Sequence, residues 1–263
     1  MELLVDAHCH LDHEAFKDDL DKVLERAKEA GVSVVIAQGV NDESNRKVIE
    51  LSKRYKMIKA ALGLYPLDAV NVECEQEEGE PPLPRSDTGV GETLGFIEKS
   101  KDDIVAIGEV GIDLKYSKDL KTQTENFEKI IALAKRIDKP LIVHSRNAEK
   151  EVLGILENNS ARKVLMHCFG GSMKLVKLAV DLGYYLSIPT NVVRSSHFQK
   201  IVEMVPLSHL LLETDAPYLS PEPGKRNEPA NIRLSLKKVA EIKGIDEGEA
   251  EKALFMNYQR LFQ

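Results

Sequence analysis

Side chains that commonly bind divalent metals follow several short apolar runs, and their spacing is the first chemical signal in the sequence. His8 and His10 alternate in DAHCH, and residues i and i+2 of an extended strand point to the same side. Such a pair can bind one ion through two imidazoles. The full set of candidate metal ligands is His8, His10, Glu109, His144, His167 and Asp215. Imidazoles mixed with carboxylates suit Zn, Mn, Fe or Co, whereas Mg prefers oxygen ligands.

The elements that must position these side chains are short apolar runs that alternate with amphipathic stretches. Eight runs predict strands at Leu3–Val5, Val32–Ala37, Ile58–Leu62, Ile104–Ile107, Leu141–Val143, Val164–Met166, Tyr184–Ser187 and Leu210–Leu212. In 263 residues this alternation predicts an α/β fold, a single (β/α)8 TIM barrel with residues 1–263 as one domain. The last helices, at roughly 228–243 and 247–258, are expected to pack over the outside of the barrel. Barrel enzymes carry their chemistry at the C-terminal ends of the strands, which is where the candidate ligands lie.

Composition limits the kinds of partner. The hydrophobic fraction of 43% supports a buried core, and the net charge of -7 argues against a broad nucleic-acid-binding surface. Bound metal ions could still supply positive charge to a phosphate substrate. Three cysteines form no disulfide framework and fit a reducing compartment. Because we find neither a signal-peptide pattern nor a long apolar segment, we expect a soluble cytoplasmic protein without membrane association.

Other polar residues near the motifs have weaker claims to a role. Asp6 is either a seventh ligand or a structural residue beside the site, and Glu213 is expected only to line the barrel. By strand alternation, Cys9 and Cys168 are expected to point away from the site. No role is assigned to three histidines outside the strand ends: His13, His197 and His209.

In these motifs the chain resembles the TatD family of metal-dependent deoxyribonucleases, within the amidohydrolase-like barrel superfamily. The motifs, in family order, are DAHCHLD (6–12), GEVGID (108–113), QTENFEKIIALA (123–134), PLIVHSRNA (140–148), ETDAPYL (213–219) and GKRNEP (224–229). Each is weak to moderate alone, but the ordered set is specific and covers nearly the whole chain. The resemblance implies a barrel of the metal-dependent hydrolase type and a deoxyribonuclease activity.

The resemblance also implies an assignment of two divalent ions per subunit. The ligands of the first ion would be His8, His10 and Asp215. Those of the second would be His144 and His167, and Glu109 would bridge the two ions. Mg or Mn is expected in turnover, with Zn, Co or Fe as further possibilities.

Paired ions lower the pKa of a bound water toward about 7, so we expect water to attack a phosphodiester. Asp215 would orient this water and take its proton. Arg146 and Arg226 are candidates for phosphate binding because a guanidinium matches phosphate oxygens bidentately, and Asn227 is a weaker one. Tyr65, in GLYP, stands where many family members carry the histidine of G-x-H-P. Tyr65 is therefore a candidate substrate contact with altered chemistry.

The expected substrate is single-stranded DNA, a strand end or a short oligonucleotide, because an acidic protein makes few phosphate contacts. The resemblance implies cleavage in the manner of a 3'-5' exonuclease. Residues 71–89 are rich in Glu and Pro and form either a mobile surface loop or a catalytic lid; their acidity favours the loop.

Two other functions are compatible with the same residues. One is a different hydrolase on the same barrel, a metal-dependent amidase, esterase or aminoacyl-tRNA deacylase, because fold and metals do not fix the substrate. The other is a non-catalytic barrel that uses its metals for stability or protein docking.

Overall fold

A computed structural model describes residues 3–68 and 89–263, and in it eight strands form one sheet in which each strand lies parallel to the next along the chain. The strands are β1 (Leu4–Cys9), β2 (Val32–Gln38), β3 (Ile58–Leu62), β4 (Ile104–Gly111), β5 (Leu141–His144), β6 (Val164–Met166), β7 (Tyr185–Pro189) and β8 (Leu210–Glu213). A parallel bridge between Cys9 and Ala216, just beyond β8, joins the last strand to the first. The sheet therefore curls into a barrel, which confirms the predicted (β/α)8 TIM fold.

Helices connect the parallel strands, since a parallel pair needs a crossover rather than a tight turn. They are α1 (Leu20–Glu29), α2 (Asp42–Arg54), α3 (Val90–Lys99), α4 (Leu120–Ile137), α5 (Glu149–Asn158), α6 (Met173–Asp181), α7 (Ser196–Met204), α8 (Ile232–Lys243) and α9 (Glu247–Phe262). Side chains fix several of their starts: Asn41 caps α2 by accepting from the Ser44 N–H, and Asp119 caps α4 by accepting from the Thr122 N–H. Within the described ranges, the helices are too short or too polar to cross a bilayer.

Two hydrophobic clusters stabilise the barrel. The larger one lies between the sheet and the surrounding helices and includes Cys9, Phe127 and Val143. The smaller one includes Ile36, Ile142 and Leu165 and is continued by Tyr258, Leu261 and Phe262 of α9. The end of α9 therefore packs against apolar side chains that several strands contribute. The helix predicted at roughly 247–258 is longer in the structure, because it runs on to Phe262 and carries apolar residues in its final turns.

The predicted strands match the observed ones closely, but β1 and β4 extend further along the chain. Asp6 and His8 lie within β1, and Glu109 lies within β4. A search for apolar runs stops at the first polar residue, although these polar residues are themselves buried in the sheet. The expectation for residues 71–89 falls almost wholly on residues 69–88, outside the described ranges.

Candidate metal centre

Five of the six predicted ligands line a cavity of about 920 Å³ at the C-terminal ends of the strands, and the sixth, His8, lies 3.4 Å from Glu109. Among the described residues, two groups of side chains have candidate ligand atoms that all lie within 4.8 Å of one another, and His144 belongs to neither group. One group is His8, Glu109 and His167; the other is His8, His10 and Asp215. His8 is fully buried and belongs to both groups. This convergence and the imidazole–carboxylate donor set fit divalent transition metals.

Glu109 lies between two pairs of histidines. Its Oε2 is 3.4 Å from His8 Nε2 and 3.5 Å from His10 Nε2. Its Oε1 is 2.7 Å from His144 Nδ1 and 3.7 Å from His167 Nε2. Burial would raise the pKa of Glu109, but hydrogen bonds to His144 and His8 hold it well below its usual range. The carboxylate is therefore an anion whose two oxygens face different histidine pairs.

Glycines allow the strand ends to approach Glu109 and His144 closely. A Cβ atom on Gly63 would lie 2.3 Å from the main-chain oxygen of Glu109. A Cβ atom on Gly111, which has a φ of 142°, would lie 2.0 Å from the main-chain oxygen of His144. Since neither position has room for a side chain, both glycines are required by the packing around the site.

Asp215 follows β8 and is placed beside His8 by the main chain. Its N–H donates to the His8 carbonyl at 2.9 Å, and its φ of 54° lies in the left-handed region. Oδ1 is 3.3 Å from His10 Nε2 and 3.5 Å from His8 Nε2. Burial would raise the pKa of Asp215, but the His10 hydrogen bond and the charges on His167 and His8 lower it. Asp215 is therefore also an anion at neutral pH.

His167 is held by a carboxylate on the side away from Glu109. Its Nδ1 donates to Glu213 Oε2 at 2.9 Å, so Nε2 is the nitrogen that faces Glu109. Burial would lower the pKa of His167, but the Glu213 charge and hydrogen bond raise it to about 10. Glu213 was expected only to line the barrel; it is the hydrogen-bond partner of a candidate ligand.

His144 has a corresponding carboxylate partner that the sequence did not reveal. Its Nε2 donates to Asp113 Oδ2 at 3.1 Å, and Tyr65 donates its hydroxyl proton to the same oxygen at 2.9 Å. Burial would lower the pKa of His144, but the hydrogen bonds to Asp113 and Glu109 raise it to about 9. Asp113 is the last residue of GEVGID, two positions beyond the end of β4, and its place in that motif was the available signal.

Comparison with known proteins agrees with this geometry. The family model described as TatD related DNase matches residues 5–263. The chain belongs to that family. It is 37% identical to a human protein named Deoxyribonuclease TATDN3, over 98% of this chain and 94% of that protein. It is 33% identical to an uncharacterized metal-dependent hydrolase, MJ1582, of Methanocaldococcus jannaschii, over 98% and 96% of the two chains.

A solved structure supports the same relationship. The crystal structure of YJJV, a TatD homolog from Escherichia coli, superposes with a TM-score of 0.87 at 29% sequence identity, covering 100% of this chain and 99% of the other. The TatD fold is therefore shared across the residues that the structure describes.

Asp6 belongs to neither of the two groups of candidate ligand atoms in this TatD site. Its oxygens accept from the Thr214 N–H at 2.8 Å and from the Thr214 hydroxyl at 2.6 Å. These contacts tie β1 to the end of β8. Of the two roles considered for Asp6, the hydrogen bonds favour the structural one.

The two predicted phosphate-binding arginines lie in different surroundings. Arg146 is exposed, lines the cavity and donates to the Tyr116 hydroxyl at 3.2 Å. Arg226 lies outside the cavity lining and forms a bidentate pair with Asp19, at 2.9 and 2.7 Å. This pairing disfavours the prediction that Arg226 binds phosphate, because the guanidinium already has a carboxylate partner. Asn227 is fully buried and donates to Thr190 and the Thr214 carbonyl, so it too has no access to substrate.

The structure agrees with the expectation for Cys9 but not with the expectation for Cys168. Cys9 is buried among apolar side chains, as predicted. The prediction for Cys168 is wrong, because this residue lines the cavity. It follows β6 with a φ of 42°, so strand alternation no longer applies there. His13 also lines the cavity, where its ring contacts the edge of Tyr218.

Proposed function

We propose that this TatD-family protein hydrolyses phosphodiester bonds in DNA with two divalent ions held on either side of Glu109. One ion would be held by His8, His10 and Asp215, and the other by His144 and His167. The observation that carries the proposal is the position of Glu109, whose two oxygens face separate histidine pairs. The family membership and the family names of its relatives make the protein a metal-dependent hydrolase.

When bound, the ions would supply an activated water and would neutralise charge that develops on the phosphoryl oxygens. Mg or Mn is proposed for turnover, and the imidazole-rich donor set would also accept Zn, Co or Fe. The contribution of the chain itself is to fix six donors in one place. The outer carboxylates Glu213 and Asp113 support this role, because each holds the far nitrogen of a histidine.

Asp215 is the proposed proton acceptor. Its side chain is 14% exposed at the floor of the cavity, whereas that of Glu109 is 4% exposed. Both oxygens of Glu109 face imidazoles, while Asp215 turns only Oδ1 toward His8 and His10. A carboxylate that is anionic and open to the cavity can orient a water and accept its proton.

The proposed substrate is single-stranded DNA or a strand end, attacked from the 3' terminus. A net charge of -7 opposes a broad duplex-binding surface. Two basic side chains line the cavity among the described residues, Lys47 and Arg146, and Lys47 is already paired with Glu43. Arg146 is therefore the proposed contact for a phosphate, and few nucleotides should be bound at once.

The test is hydrolysis of a 5'-labelled single-stranded oligonucleotide by metal-stripped protein to which Mg, Mn, Co or Zn is returned. We expect progressive shortening that phosphorothioate linkages at the 3' end block. Asp215→Asn should lower the rate on the order of 10³-fold because the proton acceptor is lost. The matched control is Glu149→Gln, which also lines the cavity but belongs to neither group of candidate ligands. We expect it to retain activity.

An ester, a simple amide and an aminoacyl-tRNA are assayed in parallel. Hydrolysis of one of these with no cleavage of DNA would replace the proposed substrate but retain the site. Metal-dependent cleavage of DNA that Asp215→Asn leaves intact would contradict the role of this carboxylate. Absence of turnover on all substrates with every metal would contradict the enzymatic proposal.

A further inference from the structure

We infer that Tyr65, acting through Asp113, is a positioning residue for His144 and thereby for the second metal ion, rather than a contact for DNA. This inference rests on the proposed two-ion function and specifies how one of its two metal positions is built.

Tyr65 lines the cavity, but its hydroxyl is directed toward Asp113 and lies 3.5 Å from His144 Nε2. It donates to Asp113 Oδ2 at 2.9 Å, and a hydroxyl has one proton to donate. Tyr65 is 9% exposed and Asp113 is fully buried, so water does not compete freely for this bond. Tyr65 could donate to a phosphate only by leaving a buried carboxylate with one partner fewer, which is costly.

Asp113 is itself rigidly placed. Its Oδ1 accepts from the Lys115 N–H at 2.8 Å. Its main-chain N–H donates to Gln123 Oε1 at 2.7 Å, and its carbonyl accepts from Gln123 Nε2 at 3.1 Å. With Oδ1 and the main chain fixed, Oδ2 is the atom that receives both His144 Nε2 and the Tyr65 hydroxyl. This arrangement directs His144 Nδ1 toward Glu109, at 2.7 Å.

The same arrangement recurs at His167, the other ligand proposed for the second ion. Glu213 Oε2 accepts from His167 Nδ1 at 2.9 Å and from the Ser187 hydroxyl at 2.6 Å. Glu213 Oε1 accepts from the Cys168 N–H at 2.9 Å.

Each histidine therefore has a carboxylate partner in which one oxygen also receives a hydroxyl and the other receives a main-chain N–H. Ser187 is on β7 and is 1% exposed, with no access to substrate. Because Tyr65 occupies the equivalent place beside His144, positioning is the function that its geometry supports.

Mn²⁺ binding to the metal-stripped protein tests the inference, with free and paired Mn²⁺ followed by electron paramagnetic resonance. Wild type should bind two ions and show the exchange-coupled spectrum of a pair. Tyr65→Phe should weaken the second binding step by roughly 10–100-fold and leave the first unchanged. Ser187→Ala, which removes the corresponding hydroxyl beside His167, should weaken the same step. Asp113→Asn is a second variant for the Tyr65 side, should Tyr65→Phe fail to fold.

The matched control is Tyr55→Phe. Tyr55 also donates its hydroxyl to an aspartate, Asp21 at 2.6 Å, but it lies on the surface outside the cavity. It should bind both ions as wild type does. At saturating Mn²⁺, Tyr65→Phe should retain the wild-type KM for the oligonucleotide, since the residue is not a DNA contact.

Wild-type affinity for both ions in Tyr65→Phe would overturn the inference. So would equal weakening of both steps, which indicates a general structural role. A raised KM with unchanged Mn²⁺ binding would restore Tyr65 as a DNA contact. If wild type itself bound a single ion, the proposed two-ion function would fail first, which distinguishes that result from failure of the inference alone.

Discussion

The metal centre and the smaller apolar cluster bury different kinds of side chain to a similar degree. The C-terminal end buries His8, Glu109 and Glu213, all nearly inaccessible to solvent. The smaller apolar cluster buries Leu165 and Leu261 just as completely. Burial of apolar surface stabilises a fold by about 25 cal/mol per Å², whereas a buried charge costs free energy unless it is paired.

The difference shows how one fold separates stability from chemistry. The apolar cluster supplies free energy, and its described members include no histidine or carboxylate. The metal centre consists of charges that remain buried because each has an opposite partner, as Glu109 and Glu213 have in the histidines around them. Changes in the apolar cluster should therefore alter stability without altering chemistry, and changes in the centre should alter both.

The largest expected effect on stability comes from Leu261→Ala in α9. Removing a buried leucine side chain leaves a cavity and should cost about 2–5 kcal/mol of unfolding free energy, measured by denaturant titration. Activity per folded molecule should stay at the wild-type value, because the residue lies in the apolar cluster and not at the metal centre. The control on the same helix is Met256→Ala, which is 49% exposed and should cost no more than about 0.5 kcal/mol. Equal losses in the two variants would contradict the importance of the apolar cluster.

A smaller effect is expected from Glu213→Gln at the metal centre. The glutamine keeps the shape but replaces one accepting oxygen with a donor, so either the Cys168 N–H loses its acceptor or both His167 Nδ1 and the Ser187 hydroxyl do. An unsatisfied buried group costs about 1–3 kcal/mol, which thermal or denaturant unfolding of the metal-free protein would detect. The exposed substitution Glu14→Gln should cause no measurable change. If Glu213→Gln were more stable than wild type, this carboxylate would be shown to destabilise the fold and to serve function alone.

The fold and the candidate ligands could be predicted because strand ends in a barrel are positions in the sequence as well as in space. Apolar runs locate the strands, and the residue after each run is brought to the same end of the barrel. His144 and His167 were found in this way. The boundaries of β1 were less certain, since Asp6 and His8 are polar yet lie within the strand.

The partners of these ligands could not be predicted, because hydrogen bonds join residues that are distant in the sequence. Glu213 accepts a hydrogen bond from His167, 46 positions earlier, and Asp113 accepts one from His144, 31 positions later. The pairing of Arg226 could not be predicted for the same reason: its partner Asp19 is 207 positions away, and nothing in GKRNEP indicates it. Local patterns predict where a residue lies but not which charged group it pairs with there.

The smallest expected effect distinguishes Arg146 from Arg226. It extends the comparison from the metal centre to the residues around it. Arg146→Ala should raise the KM for a single-stranded oligonucleotide roughly tenfold, the loss of one hydrogen bond to a charged phosphate. The turnover number should fall little, because Arg146 belongs to neither group of candidate ligands. Steady-state kinetics at several salt concentrations would measure this, since a lost phosphate contact also reduces the salt dependence of binding.

Arg226→Ala is the matched control for that measurement, because the same side chain is removed from a position whose guanidinium is paired with Asp19 outside the cavity lining. We expect its KM and its salt dependence to equal those of wild type. A raised KM in Arg226→Ala would mean that DNA displaces Asp19 and extends beyond the cavity. The binding region would then be wider than the metal centre, and the restriction to a few nucleotides would have to be abandoned.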